Sequence, residues 1–284
     1  MTLYESLRDL LRSEEPVALA TVVEVTDEEP EADEAFGGTG GDPPALGAKL
    51  LVRPGGSLPG GSLGNADLDR VVARDVRAAL EAGLSATRHY GRRGQARQRQ
   101  VSVFIESFAP PPRMIIFGAV DFTAALARVA KVLGYRVTVC DARPVFATAA
   151  RFPMADEVVV DWPNRHLTEV GPALGPRDAV CVLTHDPKFD VPAIVSALAT
   201  RVGYLGAMGS RRTHHERAAR LREAGVTDAQ LARVLAPIGL DLGARTPEET
   251  AVSICAEIIA LRTGRVAPSL RDTEGPIHRD PAPA

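Results

Sequence analysis

Two glycine-rich loops between Gly203 and Glu257 carry the densest chemistry of the chain. The first reads GYLGAMGSRRTHHER. A short apolar strand runs through Gly206 into a turn at Gly209, which delivers Ser210, Arg211 and Arg212 to a helix start. Backbone N–H groups at a helix N-terminus, joined by two guanidinium groups, form an anion clamp. His214 and His215 follow in the first turn, where a cation opposes the helix dipole. The second loop, Pro237-Ile-Gly-Leu-Asp-Leu-Gly243, offers Gly239 and Asp241 ahead of another helix. Together the loops suggest a crevice whose occupant bears phosphate. Plainer roles stand beside these. Arg211 also reads as a solvated helix start, and Asp241 either orients a polar ring edge or closes its own loop as an Asx turn.

Upstream, the ends of three more expected strands carry glycine or polar groups: Gly118, then Asp141 with Arg143, then Thr184, His185 and Asp186. In an open parallel sheet, ligands bind outside such carboxyl ends, where the strand order reverses. These residues and Gly206 onward therefore make one candidate edge. Its first turn departs from the dinucleotide fingerprint G-x-G-x-x-G. Val120 stands where the backbone should approach a pyrophosphate, and Thr123 where the helix should pack on the strand. Asp141, 23 residues beyond Gly118, stands near where a ribose-binding acid belongs. The acid fits and the phosphate turn does not, which favours a nucleotide-like ligand other than NAD(P). In THDPKFD, His185 reads as a ligand contact, as part of a structural turn, or as a base if a carboxylate holds it. No nucleophile accompanies it, and one histidine with two acids within six residues is a weak metal signal. No catalytic and no metal-binding residue is assigned.

The elements that must position these groups follow from periodicity. Residues 113–264 alternate strands with helices: Met114–Phe117, Arg136–Cys140, Val158–Val160, Ala179–Leu183 and Val202–Leu205 are strands. Phe122, Leu126, Val129 and Leu133 mark a helix that Gly134 stops. Such alternation means βαβ units and a parallel sheet, a Rossmann-like α/β domain. Its last helix opens with the capping box Thr246-Pro-Glu-Glu249 and buries Ala251, Ile254, Cys255, Ile258 and Leu261. Glu248 and Glu249 then serve helix-start electrostatics. Before it, Ala109-Pro-Pro-Pro112 is a stiff linker. Residues 1–108 mix a helix over 2–12, strands over Val17–Val25, Leu46–Val52 and Val101–Phe108, and a helix from Asn65 or Asp67 to Ala82. These make a smaller α+β domain, with Gly55–Gly64 a turn and an acidic, glycine- and proline-rich mobile loop over 26–44. Residues 265–284 read as a disordered tail.

Bulk properties narrow the function classes. Of 284 residues, 45% are apolar, enough for a sizeable core, and the net charge of −3 excludes the basic footprint of a nucleic-acid or membrane-surface binder. No apolar run approaches the ~18 residues that span a bilayer. The amphipathic start lacks signal-peptide character, which leads to the expectation of a cytoplasmic protein. Cys140, Cys181 and Cys255 lack metal-ligand spacing. With a third strand between those of Cys140 and Cys181, the two are too far apart for a disulfide. Buried thiols in a reducing compartment are expected.

The segments GAMGSRR, PIGLDLGARTPEE and THDPKFD resemble the XdhC/CoxI family of maturation factors for molybdenum hydroxylases. The likeness is dense over 113–264 and patchy over 1–106. It implies a protein that binds the molybdenum cofactor (molybdopterin), protects it while its terminal sulfur is installed, and delivers it to a xanthine dehydrogenase or carbon monoxide dehydrogenase type of enzyme. The partner implied is the hydroxylase large subunit, with a sulfurtransferase and a second copy of the chain as further partners by analogy. The cofactor-binding set implied on this chain is Gly118, Asp141, Arg143, His185, Asp186, Gly206, Gly209, Ser210, Arg211, Arg212, Gly239 and Asp241. One departure stands out. Where the family's amino-terminal domain usually carries Gly-Gly-Cys-Val/Leu-Glu, this chain has Gly61-Ser-Leu-Gly-Asn-Ala-Asp67 and no cysteine before Cys140. Two competitors remain: an NAD(P)-dependent oxidoreductase using Asp141 and His185, and an interaction scaffold that binds no cofactor.

Overall fold

The computed structural model describes residues 2–26, 44–95, 98–275 and 277. Residues 27–43, nearly all of the expected acidic loop, lie outside the described residues. The chain divides into two compact units, one reaching to Pro110 and one spanning Pro111–Gly275.

In the first unit, α1 (Leu3–Arg12), β1 (Val17–Val25), β2 (Lys49–Val52), β3 (Gly60–Ser62), α2 (Ala66–Ala82), β4 (Ala86–Tyr90) and β5 (Val101–Phe108) follow in order. The strands pair antiparallel as β3-β2-β1-β5-β4. Strand alternation divides the core. Ala18, Ala20 and Val22 join Leu68, Val72 and Val76 of α2, while Val17 and Leu19 meet Leu3, Leu7 and Leu10 of α1. Asn65 caps α2 through the N–H groups of Asp67 and Leu68, and Gly83 ends it at φ +64°.

Three expectations need correcting here. β2 starts at Lys49 rather than Leu46, because Leu46 and Gly47 form the preceding turn and Leu46 is 73% exposed. The turn expected over Gly55–Gly64 contains β3, a strand without an apolar pattern; Gly61 lies so close to the Lys49 carbonyl that no side chain fits between. β4 had no counterpart in the expected elements because its residues, ATRHY, are polar on one side and sit at a sheet edge.

The second unit is doubly wound. Its elements are β6 (Arg113–Phe117), α3 (Asp121–Val132), β7 (Arg136–Cys140), β8 (Glu157–Val159), α4 (Pro163–Val170), β9 (Ala179–Val182), α5 (Pro187–Leu198), β10 (Tyr204–Ala207), α6 (Arg211–Glu223), α7 (Asp228–Leu231) and α8 (Pro247–Thr263). The all-parallel order is β10-β9-β6-β7-β8, so the chain reverses direction across the sheet between β6 and β9. Met114 and Ile116 face α3 and α8 through Leu126, Ile254 and Ile258. Ile115 and Phe117 face the opposite layer through Leu167, Ile194 and Leu221. This two-sided burial is why the strands read as continuous apolar runs.

The boundaries shift modestly. β10 begins at Tyr204 because Gly203 abuts the Pro176 carbonyl and stays outside the ladder. Leu261, expected in the stripe of α8, is 49% exposed, and Ala260 is buried in the same turn. β6 does separate the strands of Cys140 and Cys181, and all three cysteines are free and buried. In the segment expected as a disordered tail, Leu270–Asp272 forms a short 3-10 turn, while residues 276 and 278–284 lie outside the described residues. No helix among the described residues is long and apolar enough to cross a membrane.

Candidate site at the carboxyl edge of the parallel sheet

The β10–α6 turn begins where Met208 donates its N–H to Val182 at 2.8 Å and Gly209 takes φ +144°. A side chain on Gly209 would be strained at that φ, and its Cβ would press on Thr213 at 3.1 Å. Ser210 is the N-cap of α6, its hydroxyl accepting the Thr213 N–H at 3.1 Å. The N–H groups of Gly209, Ser210, Arg211 and Arg212 have no acceptor among the described residues. The first turn of α6 holds no acid. Arg212 reaches Glu216 at 3.1 Å, whereas Arg211 is exposed and has no ion pair among the described residues. This is a helix N-terminus with open donors and net positive charge, the physical requirement for anion binding.

Beneath the turn lies a network that sequence reasoning did not find. Arg217 and Asp190 form an ion pair at 2.8 Å with side chains 3% and 5% exposed. The same Arg217 Nη2 donates to the Met208 carbonyl at 2.8 Å, and the Thr184 hydroxyl donates to the other Asp190 oxygen. Nη1 of Arg217 is buried with no partner. Burial lifts the Asp190 carboxyl above its ordinary value, against the pull of Thr184 and Arg217. The available signal was a charge at helical spacing with buried Ala218 and Leu221, a position an arginine rarely takes unless paired. The network ties the β9–α5 loop to the β10–α6 turn.

At the switch point, Gly118 holds φ +108°, and a Cβ there would lie 2.8 Å from Thr184 Cγ2. Thr123 donates its hydroxyl to the Gly118 carbonyl, so it closes the turn that a glycine would have left open. Asp141 is buried and fully engaged. One oxygen accepts the Ala119 N–H at 2.8 Å and Arg143 Nη2 at 2.8 Å, and the other accepts the Arg143 N–H at 3.0 Å and Nε at 2.9 Å. Burial alone would raise its carboxyl, but hydrogen bonds from the Arg143 guanidinium and the two N–H groups outweigh it and hold the group below the ordinary aspartate value. Arg143 also lies 4.6 Å over the Phe146 ring. Asp186 is near enough to act on Arg143 by charge.

The remaining expected residues are placed as follows. Asp186 is exposed and caps α5 by accepting the Lys188 N–H at 3.0 Å. His185 is exposed and makes no hydrogen bond among the described residues; it acts on Asp190 by charge without being held by that carboxylate. No group of three potential metal ligands occurs among the described residues. Gly206 is closed over by Ile238, whose N–H bonds to the Ala207 carbonyl at 3.2 Å, so residues 235–238 run along the end of β10. Gly239, at φ +95°, donates its N–H to Glu257 at 2.9 Å, and Tyr204 donates its hydroxyl to the same oxygen at 2.6 Å. Asp241 is exposed and makes no hydrogen bond among the described residues, so it does not close its loop as an Asx turn. The sheet edge thus gathers Gly118, Asp141, Arg143 and Asp186 on one side of Ser210, Arg211 and Arg212. The loop of Gly239 and Asp241 lies on the other.

Comparisons with known proteins agree with this architecture. A model of the XdhC Rossmann domain matches residues 114–258, and one of the XdhC and CoxI family matches residues 36–91. A protein of Bacillus subtilis named as a probable xanthine dehydrogenase subunit is 35% identical over 161 residues, 57% of this chain and 46% of that protein. The molybdenum cofactor insertion chaperone PaoD of Escherichia coli is 29% identical over 159 residues, 56% of this chain and 43% of its own length. The chain therefore spans less than half the length of these curated relatives. A crystal structure of a xanthine dehydrogenase from Bacillus halodurans has the same fold, with a TM-score of 0.51 at 22% identity over 95% of this chain and 98% of that one. With its parallel-sheet unit matched almost from end to end, the chain belongs to the XdhC and CoxI family.

Proposed function

We propose that this chain is a maturation factor that holds a molybdenum cofactor at the carboxyl edge of its parallel sheet and passes it to a molybdenum hydroxylase. The observation that carries this reading is the run of four open N–H groups from Gly209 to Arg212, flanked by two exposed guanidinium groups. A molybdopterin presents a phosphate, or a dinucleotide, and a fused polar ring. Nitrogen donors at a helix N-terminus fit the phosphate end. The family, and relatives named for cofactor insertion and for a xanthine dehydrogenase, support the same direction. When bound, the cofactor would supply the redox chemistry of the enzyme that receives it; this chain's residues bind and orient. His185 lacks the partner of a general base, and no turnover is assigned to the chain.

The oxidoreductase alternative loses its main support in Asp141. A ribose-binding acid needs a free carboxylate oxygen, and both oxygens of Asp141 are saturated by Ala119 and Arg143. The test is anaerobic exposure of the protein to freshly released cofactor, gel filtration, and oxidation of the protein fraction to fluorescent pterin. Near-stoichiometric pterin, lost in an Arg211→Ala, Arg212→Ala variant, supports the reading. No retained pterin in the unaltered protein refutes it in favour of a scaffold.

A further inference from the structure

We infer that the oxyanion of a bound ligand sits on the β10–α6 turn, above Arg217, and not on the β6–α3 turn where a doubly wound sheet ordinarily seats one. The inference rests on the carrier reading only for the identity of the ligand; the placement rests on electrostatics visible in the two turns.

The β6–α3 turn is already occupied by the chain's own groups. Its Ala119 N–H is bonded to Asp141, a carboxylate held in its charged form by Arg143. Asp121 adds a second acid in the first turn of α3, only loosely met by Arg151 at 3.6 Å. The Thr123 hydroxyl and the close approach of Gly118 to Thr184 seal the floor. An incoming phosphate would find the Ala119 N–H already taken and the exposed Asp121 carboxylate beside it.

The β10–α6 turn differs in that the carboxylate beneath it, Asp190, takes no N–H of the turn and is tied to Arg217 and Thr184. It has no acid in the first turn, open N–H groups from Gly209 to Arg212, and Arg211 without a described counter-ion. The independent sign of a ligand is Arg217. Its side chain is 3% exposed, and its Nη2, which donates to the Met208 carbonyl, would lie 3.6 Å from a Cβ on Gly209, so the guanidinium adjoins the turn through Nη2. Asp190 takes Nε and Nη2, yet Nη1 is left buried and unpartnered. A buried guanidinium with one unmet donor is costly even beside Asp190, and an oxyanion on the adjoining turn would offset that cost by charge, without a hydrogen bond to Nη1. Gly209 matters for the same reason, since any side chain there would stand between the ligand and the guanidinium.

The placement is tested on the full chain labelled with 15N, titrated with inorganic pyrophosphate at constant ionic strength. The expected result is saturable shifts of the Gly209–Arg212 amides with little movement at Ala119–Asp121. Ser210→Asp keeps an N-cap of equal quality, so the helix still forms, but sets a carboxylate on the site. It should weaken pyrophosphate binding about tenfold or more through repulsion at the helix N-terminus. Shifts centred on Ala119–Asp121, no saturable shift, or unchanged affinity in Ser210→Asp would each overturn the placement. The pterin-retention assay on the same variant separates the two ideas. Pyrophosphate at Gly209–Arg212 without retained pterin keeps the oxyanion site and removes the carrier reading. Retained pterin indifferent to Ser210→Asp does the reverse.

Discussion

Arg217 is a single residue on which two loops depend. Its pair with Asp190 is almost wholly out of water, so removing either partner leaves an uncompensated buried charge. Arg217→Met should destabilise the second unit by about 3–5 kcal/mol, and Asp190→Leu combined with Arg217→Met should recover most of that loss. Urea denaturation followed by the fluorescence of Trp162 checks this, since the chain's one tryptophan stands in that unit and stacks on Phe189 at 4.7 Å. A double variant as unstable as the single one would refute the pairing. His214 reports on the same turn. Burial, and then the charges of Arg217, His215 and Arg222, hold its imidazole below the ordinary histidine value. It is therefore neutral at pH 7, and a bound anion must favour its protonated form and lift its titration. Anion affinity should rise as pH falls through the liganded value and level off below the free one. An NMR titration of the His214 ring should give a midpoint under ~6.5 that moves up with sulfate, an oxyanion that does not titrate in this range. An unmoved midpoint would remove His214 from the site's electrostatics.

At the scale of elements, legibility followed from how strongly each one writes itself into side chains. α8 declared its start through Thr246, Pro247 and Glu249, and the structure contains that capping box, with Glu249 also accepting the Arg245 N–H at 2.7 Å. Thr246→Ala should cost ~1 kcal/mol while Thr246→Ser costs little, measured as a shift in thermal midpoint. The Glu249 carboxyl is held low first by the Arg245 and Thr246 N–H groups. Its contribution is thus present above the ordinary glutamate value, ~4.3, and is lost as pH falls through the lower folded value. The buried parallel strands were legible as apolar runs, and Gly83 and Gly134 as stops. β3 and β4 were not, because a Gly-Gly-Ser strand and a half-polar edge strand are held by backbone pairing that leaves no periodic trace. In the candidate site, the turn proposed to bind an anion was visible as a turn from its arginines and glycines. The Thr184, Asp190 and Arg217 network was not, since it joins residues far apart in sequence, and only the spacing of Arg217 with Ala218 and Leu221 hinted at its burial. Gly206 and Gly239 were visible as glycines, but the packing against Ile238 and Ser253 that requires them is a tertiary fact.

For the whole molecule, the distribution of sulfur limits how the proposed metal-bearing cofactor would be held. The first unit contains no cysteine at all, since Cys140 is the earliest in the chain. The three in the second unit are all buried. Burial pushes the Cys140 thiol up to about 12 and the Cys255 thiol up to about 11, and raises that of Cys181 well above its ordinary value. A thiol so far from ionising offers neither a nucleophile nor a metal ligand at neutral pH. On the proposed reading, contacts to the cofactor then fall to nitrogen and oxygen donors such as those of the Gly209–Arg212 turn. Iodoacetamide applied to the native protein under anaerobic conditions should leave all three cysteines unmodified in the intact mass, and pterin retention should be unchanged by the treatment. Alkylation of any cysteine with parallel loss of pterin would mean that the second unit opens far enough to expose a thiol. The nitrogen-and-oxygen account of binding would then fail. Full alkylation only after denaturation would leave the buried thiols to packing and keep them out of the proposed site.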